Sequence, residues 1–133
     1  MKLLRLIISI FLICIVLTSC EDIASGTSTS TSTYAYVTNL GGNNVSVCSL
    51  TTGGALTNCS TSTVTGINGP GGIAFHDYID GNTTTTYAYV TNNGGNKVSV
   101  CSLTTGGALT NCSTPTVTGM NAPVGIAFQS VTN

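Results

Sequence analysis

Residues Tyr34 to Phe75 read YAYVTNLGGNNVSVCSLTTGGALTNCSTSTVTGINGPGGIAF, and residues Tyr87 to Phe128 read YAYVTNNGGNKVSVCSLTTGGALTNCSTPTVTGMNAPVGIAF. Each segment has 42 residues, the offset is 53, and 36 positions agree; the six that differ are Leu40/Asn93, Asn44/Lys97, Ser62/Pro115, Ile67/Met120, Gly69/Ala122 and Gly71/Val124. A repeat of this length is the mark of solenoids and propellers, whose units bury an apolar face against their neighbours. Within each copy the period is two rather than 3.6, as in Tyr34-Ala35-Tyr36-Val37-Thr38 and Val45-Ser46-Val47-Cys48-Ser49-Leu50, so the pattern predicts strands only. Turn residues separate them at Asn39 to Asn43, at Thr51 to Gly54 and, between the copies, at Asp80-Gly81-Asn82. A fourth short strand, Gly72 to Phe75, follows the Gly-Pro stretch Gly66 to Pro70. Four antiparallel strands in about 50 residues make one propeller blade. The expected fold is all-β: two units, residues 34–86 and 87–133, of antiparallel four-stranded propeller-type blades.

The run Tyr34 to Asn39, the following Asn-x-Val-Ser-Val, then Gly-Ala-Leu and Pro-x-Gly-Ile-Ala-Phe resemble the YVTN family of β-propeller repeats, which is related in fold to lactonase-like propellers. Tyr-Val-Thr-Asn itself occurs at Tyr36 to Asn39 and again at Tyr89 to Asn92, and the resemblance spans Tyr34 to Phe128. It implies a propeller and, for the lactonase-like relatives, polar catalytic or metal-binding groups gathered from several blades around a central channel. The chain departs from that pattern in carrying two repeats, where closed propellers use about four to eight blades. It enters in the second strand of a blade and reaches the first strand of another at Val124 to Phe128, which by analogy completes the opening blade. Two blades also leave two sheet faces open, a larger apolar surface than monomers ordinarily show. A homo-oligomer of several chains completing the ring, an unusual compact two-sheet fold, or a shortened gene product of marginal stability would each answer that exposure.

Cys48, Cys59, Cys101 and Cys112 fall in pairs, one pair in each copy. A hairpin turning on Gly53-Gly54 gives facing residues whose numbers total 107, which sets Cys48 opposite Cys59; Gly106-Gly107 sets Cys101 opposite Cys112 in the same way. Facing strand positions bring Cβ atoms within disulfide reach, and an exported protein meets an oxidising compartment. An ideal two-residue turn places such a pair at a hydrogen-bonded site, with Cα atoms about 5.5 Å apart. The rival use, a metal site, wants Cys-x-x-Cys spacing that is missing here.

The N-terminal run MKLLRLIISIFLICIVLTSC puts Lys2 and Arg5 ahead of an uncharged apolar stretch from Leu6 to Leu17, the order of a secretory signal. As a helix, that stretch would rise roughly 18 Å, too little for about 30 Å of hydrocarbon. Its ending, Leu17-Thr18-Ser19-Cys20, resembles the lipobox of bacterial lipoproteins. The resemblance implies removal of residues 1–19, diacylglycerol on the Cys20 thiol and acylation of the new amine, hence a lipid-anchored protein of the bacterial cell envelope. Residues 20–33 then form a lipidated cysteine and a Ser/Thr-rich linker.

With residues 1–19 removed, Lys97 is the one basic residue against Glu21, Asp22, Asp77 and Asp80, so one base and four acids give a net charge of −3. Such a surface offers no footprint for nucleic acid. His76, the single histidine, sits beside Asp77 and close to Asp80 and Asn82, the one place in the chain where acid–base or metal chemistry is conceivable. The spacing matches no calcium loop, and Asp80-Gly81-Asn82 is equally well read as a turn. No pair of titratable groups stands ready for acid–base catalysis, and no base stands near a nucleophile. Tyr34, Tyr36, Tyr87 and Tyr89 read as blade-packing residues. The expectation is a non-catalytic binding or scaffold module, without cofactor or metal, for a protein or glycan at the envelope; the alternative is a remnant or subunit of a lactonase-like enzyme.

Overall fold

The computed structural model describes residues 31–131. The expected signal segment 1–19, the expected lipid anchor at Cys20 and all but the last three residues of the expected 20–33 linker lie outside the described residues.

Every described regular element except one turn is a strand. β1 (Tyr34–Asn39), β2 (Asn44–Leu50) and β3 (Leu56–Thr61) form one antiparallel sheet in chain order. β4 (Pro70–Asp80), β5 (Thr83–Asn92), β6 (Lys97–Leu103) and β7 (Leu109–Ser113) form a second. The exception is a single 3-10 turn, Asn93–Gly95, between β5 and β6, where the expectation was strands alone.

These sheets are out of phase with the sequence repeat. Gly72 to Phe75 does not close the first blade; it belongs to β4, which is 11 residues long and pairs with β5 across the Gly81-Asn82 hairpin. The expected turn at Asp80-Gly81-Asn82 is present, with Gly81 at a φ of 57° that a residue with a side chain rarely adopts. β4 outruns its expected length because Asp77 to Asp80 faces the threonines of β5, whose branched side chains suit a pleated surface. The first sheet is thereby left with three strands and the second acquires four, in place of two equal blades.

The cysteines pair as expected, by a different route. Val47 faces Ser60 in the predicted register, but Ser49 faces Thr57 and Leu50 faces Leu56, one step out. The slip is a bulge at Asn58, whose φ of 49° takes it out of the ladder. The connection is a five-residue loop, Thr51 to Ala55, closed by bonds between Thr51 and Ala55 and from Gly54 N to Thr51 O, rather than a two-residue turn. Loop and bulge offset each other, so Cys48 still meets Cys59. The second copy repeats this with Asn111 (φ 48°), and Cys101 bonds Cys112. Both pairs have Cα atoms 4.0 Å apart, nearer the narrow spacing of antiparallel pairs than the wide one the ideal turn implies.

The core lies between the two sheets. Val45 of β2 meets Ala88, Val90, Cys101 and Leu109 of the second sheet, together with Ile67 from the connection before β4; Tyr36, Val64 and Ile73 pack around them. Each fully buried Val, Leu or Ile contributes about 1.5–3 kcal/mol, so six buried residues make a small core that depends on further ties. The Cys101–Cys112 bridge is one of them, since Cys101 is part of the core.

Residues 114–131 form no regular strand. Val124 to Phe128 does not complete the opening blade, as the analogy with interlocked termini suggested. It crosses the second sheet instead: Ala122 N donates to Asn96 Oδ1 (2.7 Å), and the Phe128 ring stacks on His76 and meets Tyr89 edge-on at 4.8 Å. Phe75 meets Tyr36 in the same way one repeat earlier, at 4.6 Å. The segment therefore occupies, on the second sheet, the place β4 occupies on the first.

Closing an 11-residue loop stabilises a chain by roughly 3 kcal/mol in the entropic account. Cys59 is exposed whereas Cys101 is inside the core. Mild reductant followed by alkylation and peptide mapping is expected to label Cys48 and Cys59 first. Replacing Cys101 and Cys112 together by Ala should cost about 3 kcal/mol or more in denaturant melts, exceeding the cost of the same change at Cys48 and Cys59.

Candidate functional site

The Tyr-Val-Thr-Asn motif works as a joint. Its four residues alternate across the strand, so Tyr36 points at the neighbouring sheet while Val37 points away. Thr38 Oγ1 donates to Gly71 O at 3.3 Å, and in the second copy Thr91 Oγ1 accepts from Gly72 N at 2.8 Å. Asn39 Nδ2 reaches Ser46 Oγ (2.8 Å), and Asn92 Nδ2 likewise reaches Ser99 Oγ (2.7 Å). Around Asn92 the network is buried and continues: Ser99 Oγ donates to Gly66 O at 2.6 Å, and Asn68 N donates to Asn92 Oδ1 at 2.9 Å. Buried amides and hydroxyls need partners, and here each completes the other. Asn43 adds a further tie by accepting from Gly69 N at 2.7 Å. The motif's polar groups are thus occupied in holding strands and blades together.

A cleft of about 430 Å³ opens beside this joint. β1 contributes Tyr34 and Tyr36, β5 contributes Thr84 to Thr86, and the β6–β7 loop contributes Leu103 to Thr105 and Gly107. Period-two alternation puts both tyrosines on one side of β1. The Tyr36 hydroxyl donates to Gly107 O at 2.6 Å. Gly107 has a φ of 75°, and a Cβ there would lie 2.6 Å from the Tyr34 ring, so only glycine lets that ring close the wall. Burial, and secondarily the Tyr34 phenol beside it, raises the Tyr36 hydroxyl above its ordinary pKa, keeping it a neutral donor. Thr104 Oγ1 is used within its loop by Ala108 N (3.1 Å). The hydroxyls of Tyr34, Thr84, Thr85 and Thr105 make no side-chain hydrogen bond among the described residues. The lining holds two aromatic rings and a set of hydroxyls, and no charged side chain.

His76 and Asp77 are not brought together. As neighbours on β4 they point to opposite faces: the His76 ring stacks on Phe128 with centroids 5.0 Å apart, while Asp77 Oδ1 accepts from Thr86 Oγ1 at 2.6 Å on the rim of the cleft. Asp80 and Asn82 flank the hairpin turn, exposed. Among the described residues no three His, Cys, Asp or Glu side chains gather where a metal could sit. Lys97 lines a smaller cleft of about 330 Å³ beside Asn68 and Asn92. Tyr36 and Tyr89 pack between layers as the sequence suggests, whereas Tyr34 lines the cleft. The threonines 84–86 drew no attention in the sequence, where they look like ordinary strand filler. Their signal was the run of four consecutive threonines, Thr83 to Thr86, directly before the second Tyr-Ala-Tyr.

The sequence pattern of one protein family, Lactonase, 7-bladed beta-propeller, matches residues 25–126, more than half of the chain. No curated protein and no solved structure matches it.

Two measurements check this reading of the joint and the cleft. Asn92→Ala should cost about 1–3 kcal/mol in a denaturant melt, by stranding Ser99 and the Asn68 amide, and Asn39→Ala should cost less because its surroundings are only partly buried. A phenol with a raised folded-state pKa binds its proton more tightly folded than unfolded. Its contribution is therefore complete below the unfolded value of about 10 and is lost as the pH rises from there through the higher folded-state value. Thermal melts should accordingly show stability falling above about pH 10, with a shallower fall in Tyr36→Phe.

Proposed function

The chain belongs to the lactonase, seven-bladed β-propeller family, and from that premise we propose that it acts as a lipid-anchored envelope protein whose repeats form a non-catalytic binding module for a neutral, hydroxylated ligand of the glycan class. The observation carrying this reading is the lining of the 430 Å³ cleft: the rings of Tyr34 and Tyr36 and the hydroxyls of Thr84 to Thr86 and Thr105, with no charged group in the wall. Aromatic faces suit the apolar side of a sugar ring, and hydroxyls in a concave site exchange hydrogen bonds with its alcohols. Asp77 on the rim supplies a further acceptor and orients Thr86. The placement at the envelope rests on the lipobox-like Leu17-Thr18-Ser19-Cys20 and the apolar run before it. Two or more acyl chains anchor stably where one holds only marginally.

A second reading, a subunit or remnant of a lactonase-like enzyme, is favoured by the family itself. Against it stands the division of His76 and Asp77 between opposite faces of β4, which denies a bound lactone a base and a carboxylate working on the same atom.

Calorimetric titration of the purified chain with a panel of neutral oligosaccharides separates the two. The binding reading expects saturable binding that weakens about tenfold or more in Tyr34→Ala, equivalent to about 1.4 kcal/mol, with no lactone hydrolysis above that of a His76→Ala/Asp77→Asn variant. Hydrolysis lost in that variant, with no sugar bound by the parent, would establish the enzyme reading instead. The anchor is read from the mass of the N-terminal peptide of envelope-isolated protein: a diacylglyceryl group on Cys20, missing in Cys20→Ala.

A further inference from the structure

The two copies are nearly identical in sequence and unlike in environment. Val90 and Leu109 are 0% and 5% exposed, whereas their counterparts Val37 and Leu56 are 43% and 51% exposed. What covers Val90 and Leu109 is the first sheet of the same chain. The same residues at the same strand positions present the same mating face in the first sheet, where Cys48 is covered at 3% exposure but Val37 and Leu56 stand open at either side.

The backbone carries a matching pair of open halves. Among the described residues β1 pairs with β2 alone, so its other edge is free; Val124 to Phe128, whose sequence is that of a first strand, pairs with none. In the second sheet the position beside β5 is filled by β4, with Ile73 opposite Val90 and Phe75 opposite Ala88. Moved by one repeat, that register sets Ile126 opposite Val37 and Phe128 opposite Ala35. Upstream, the corresponding positions Leu17 to Asp22, LTSCED, share no residue with Pro70 to Phe75. Nor does a chain's own C-terminal segment lie beside its β1: Phe75 meets Tyr36 of β1 from one face of β4, and His76 meets Phe128 from the other. The second sheet stands between them.

We infer that the partner of this face and edge is a second copy of the chain: Val124 to Phe128 of one molecule adds as the first strand to β1 of the next, whose Val37 and Leu56 then close over the second sheet of the first molecule. The interface follows one the chain already makes within itself, with the backbones set wider at Val124 and Ala122, because a Cβ on the corresponding Gly71 or Gly69 would fall 2.8 Å from the crossing layer. Tyr89 on Phe128 stands for Tyr36 on Phe75, and Asn96 holding Ala122 N stands for Asn43 holding Gly69 N. Strand addition satisfies the free edge by main-chain hydrogen bonds, and the apolar face supplies the burial. The contact is head-to-tail, so it propagates until the rotation closes it into a ring. It stands independently of what the cleft binds.

Each half can be broken without touching the other. Val37→Lys/Leu56→Lys places charges on a face that is exposed within one chain, spoiling acceptance; Ala127→Pro removes a strand donor from the segment, spoiling donation. The full chain in detergent, measured by light scattering and by sedimentation at micromolar concentration, is expected to form a defined multimer. Each variant alone should run as a monomer with an unchanged thermal melt and intact disulfides, and an equimolar mixture of the two should form a 1:1 dimer that grows no further, doubling the protein mass. A monomeric parent, variants that still assemble, or a mixture that stays monomeric despite unchanged melts would each overturn the inference. Should the lysine pair alter the melt, Ala127→Pro mixed with parent chain still decides: it must cap the multimer and lower its mean mass.

Discussion

Everything described depends on covering one face of each sheet. A three-stranded sheet has an apolar side that is stable only against another layer, and in this chain the cover comes from the next sheet along. Tyr36 against Phe75 supplies the apolar contact. Thr38 to Gly71 and Asn43 to Gly69 fix its register with polar ties at either side. The tight quarters show in the residues that differ between copies. A Cβ on Gly71 would fall 2.8 Å from the Cα of Val124, and one on Gly69 would fall 2.8 Å from Gly94 N. Both glycines lie where two layers cross, and in the second copy, which no further described layer crosses, those positions hold Ala122 and Val124.

Much of this was legible from the residues. Period-two runs located β1, β2 and the start of β4; the Gly and Asn clusters located the turns; and the cysteine spacing named both disulfides. What escaped has physical causes. The phase of the blades was hidden because a repeat has no intrinsic beginning, and the partner of β4 is decided by the Asp80-Gly81-Asn82 hairpin, which lies outside the duplicated segment. The bulges escaped because Asn58 and Asn111 look like ordinary strand positions, although asparagine tolerates a positive φ better than most residues. The cleft escaped because it is built from tyrosines and threonines, which carry no titration or metal signal, and because its walls come from three separate stretches of chain. His76 drew attention for the opposite reason: it is chemically conspicuous, yet its ring is spent on Phe128.

Within a family named for an enzyme, the division of labour in this chain is instructive. The motif residues, Tyr, Val, Thr and Asn, are consumed by packing and by hydrogen bonds, and of them Tyr36 alone also lines the cleft, whose other walls come from outside the motif. Thr84 to Thr86 lie in the inter-repeat stretch, and Leu103 to Gly107 in a hairpin loop whose conformation is fixed by Thr104 and a glycine. A rigid joint with a cleft built beside it from other stretches of chain lets one fold carry different sites.

The offset between repeat and blade has one more consequence. Because β4 is encoded in the first copy but hydrogen-bonded into the sheet of the second, neither copy owns a complete sheet. Repeat proteins are commonly treated as units with their own stability plus a term for each neighbour, and partial unfolding follows when the neighbour term is small. Here unravelling the first copy would strip β5 of its partner strand, and losing the second would expose Val45 and Tyr36. The coupling is topological as well as energetic, so the duplicated segments melt as a single cooperative unit rather than as two domains in series.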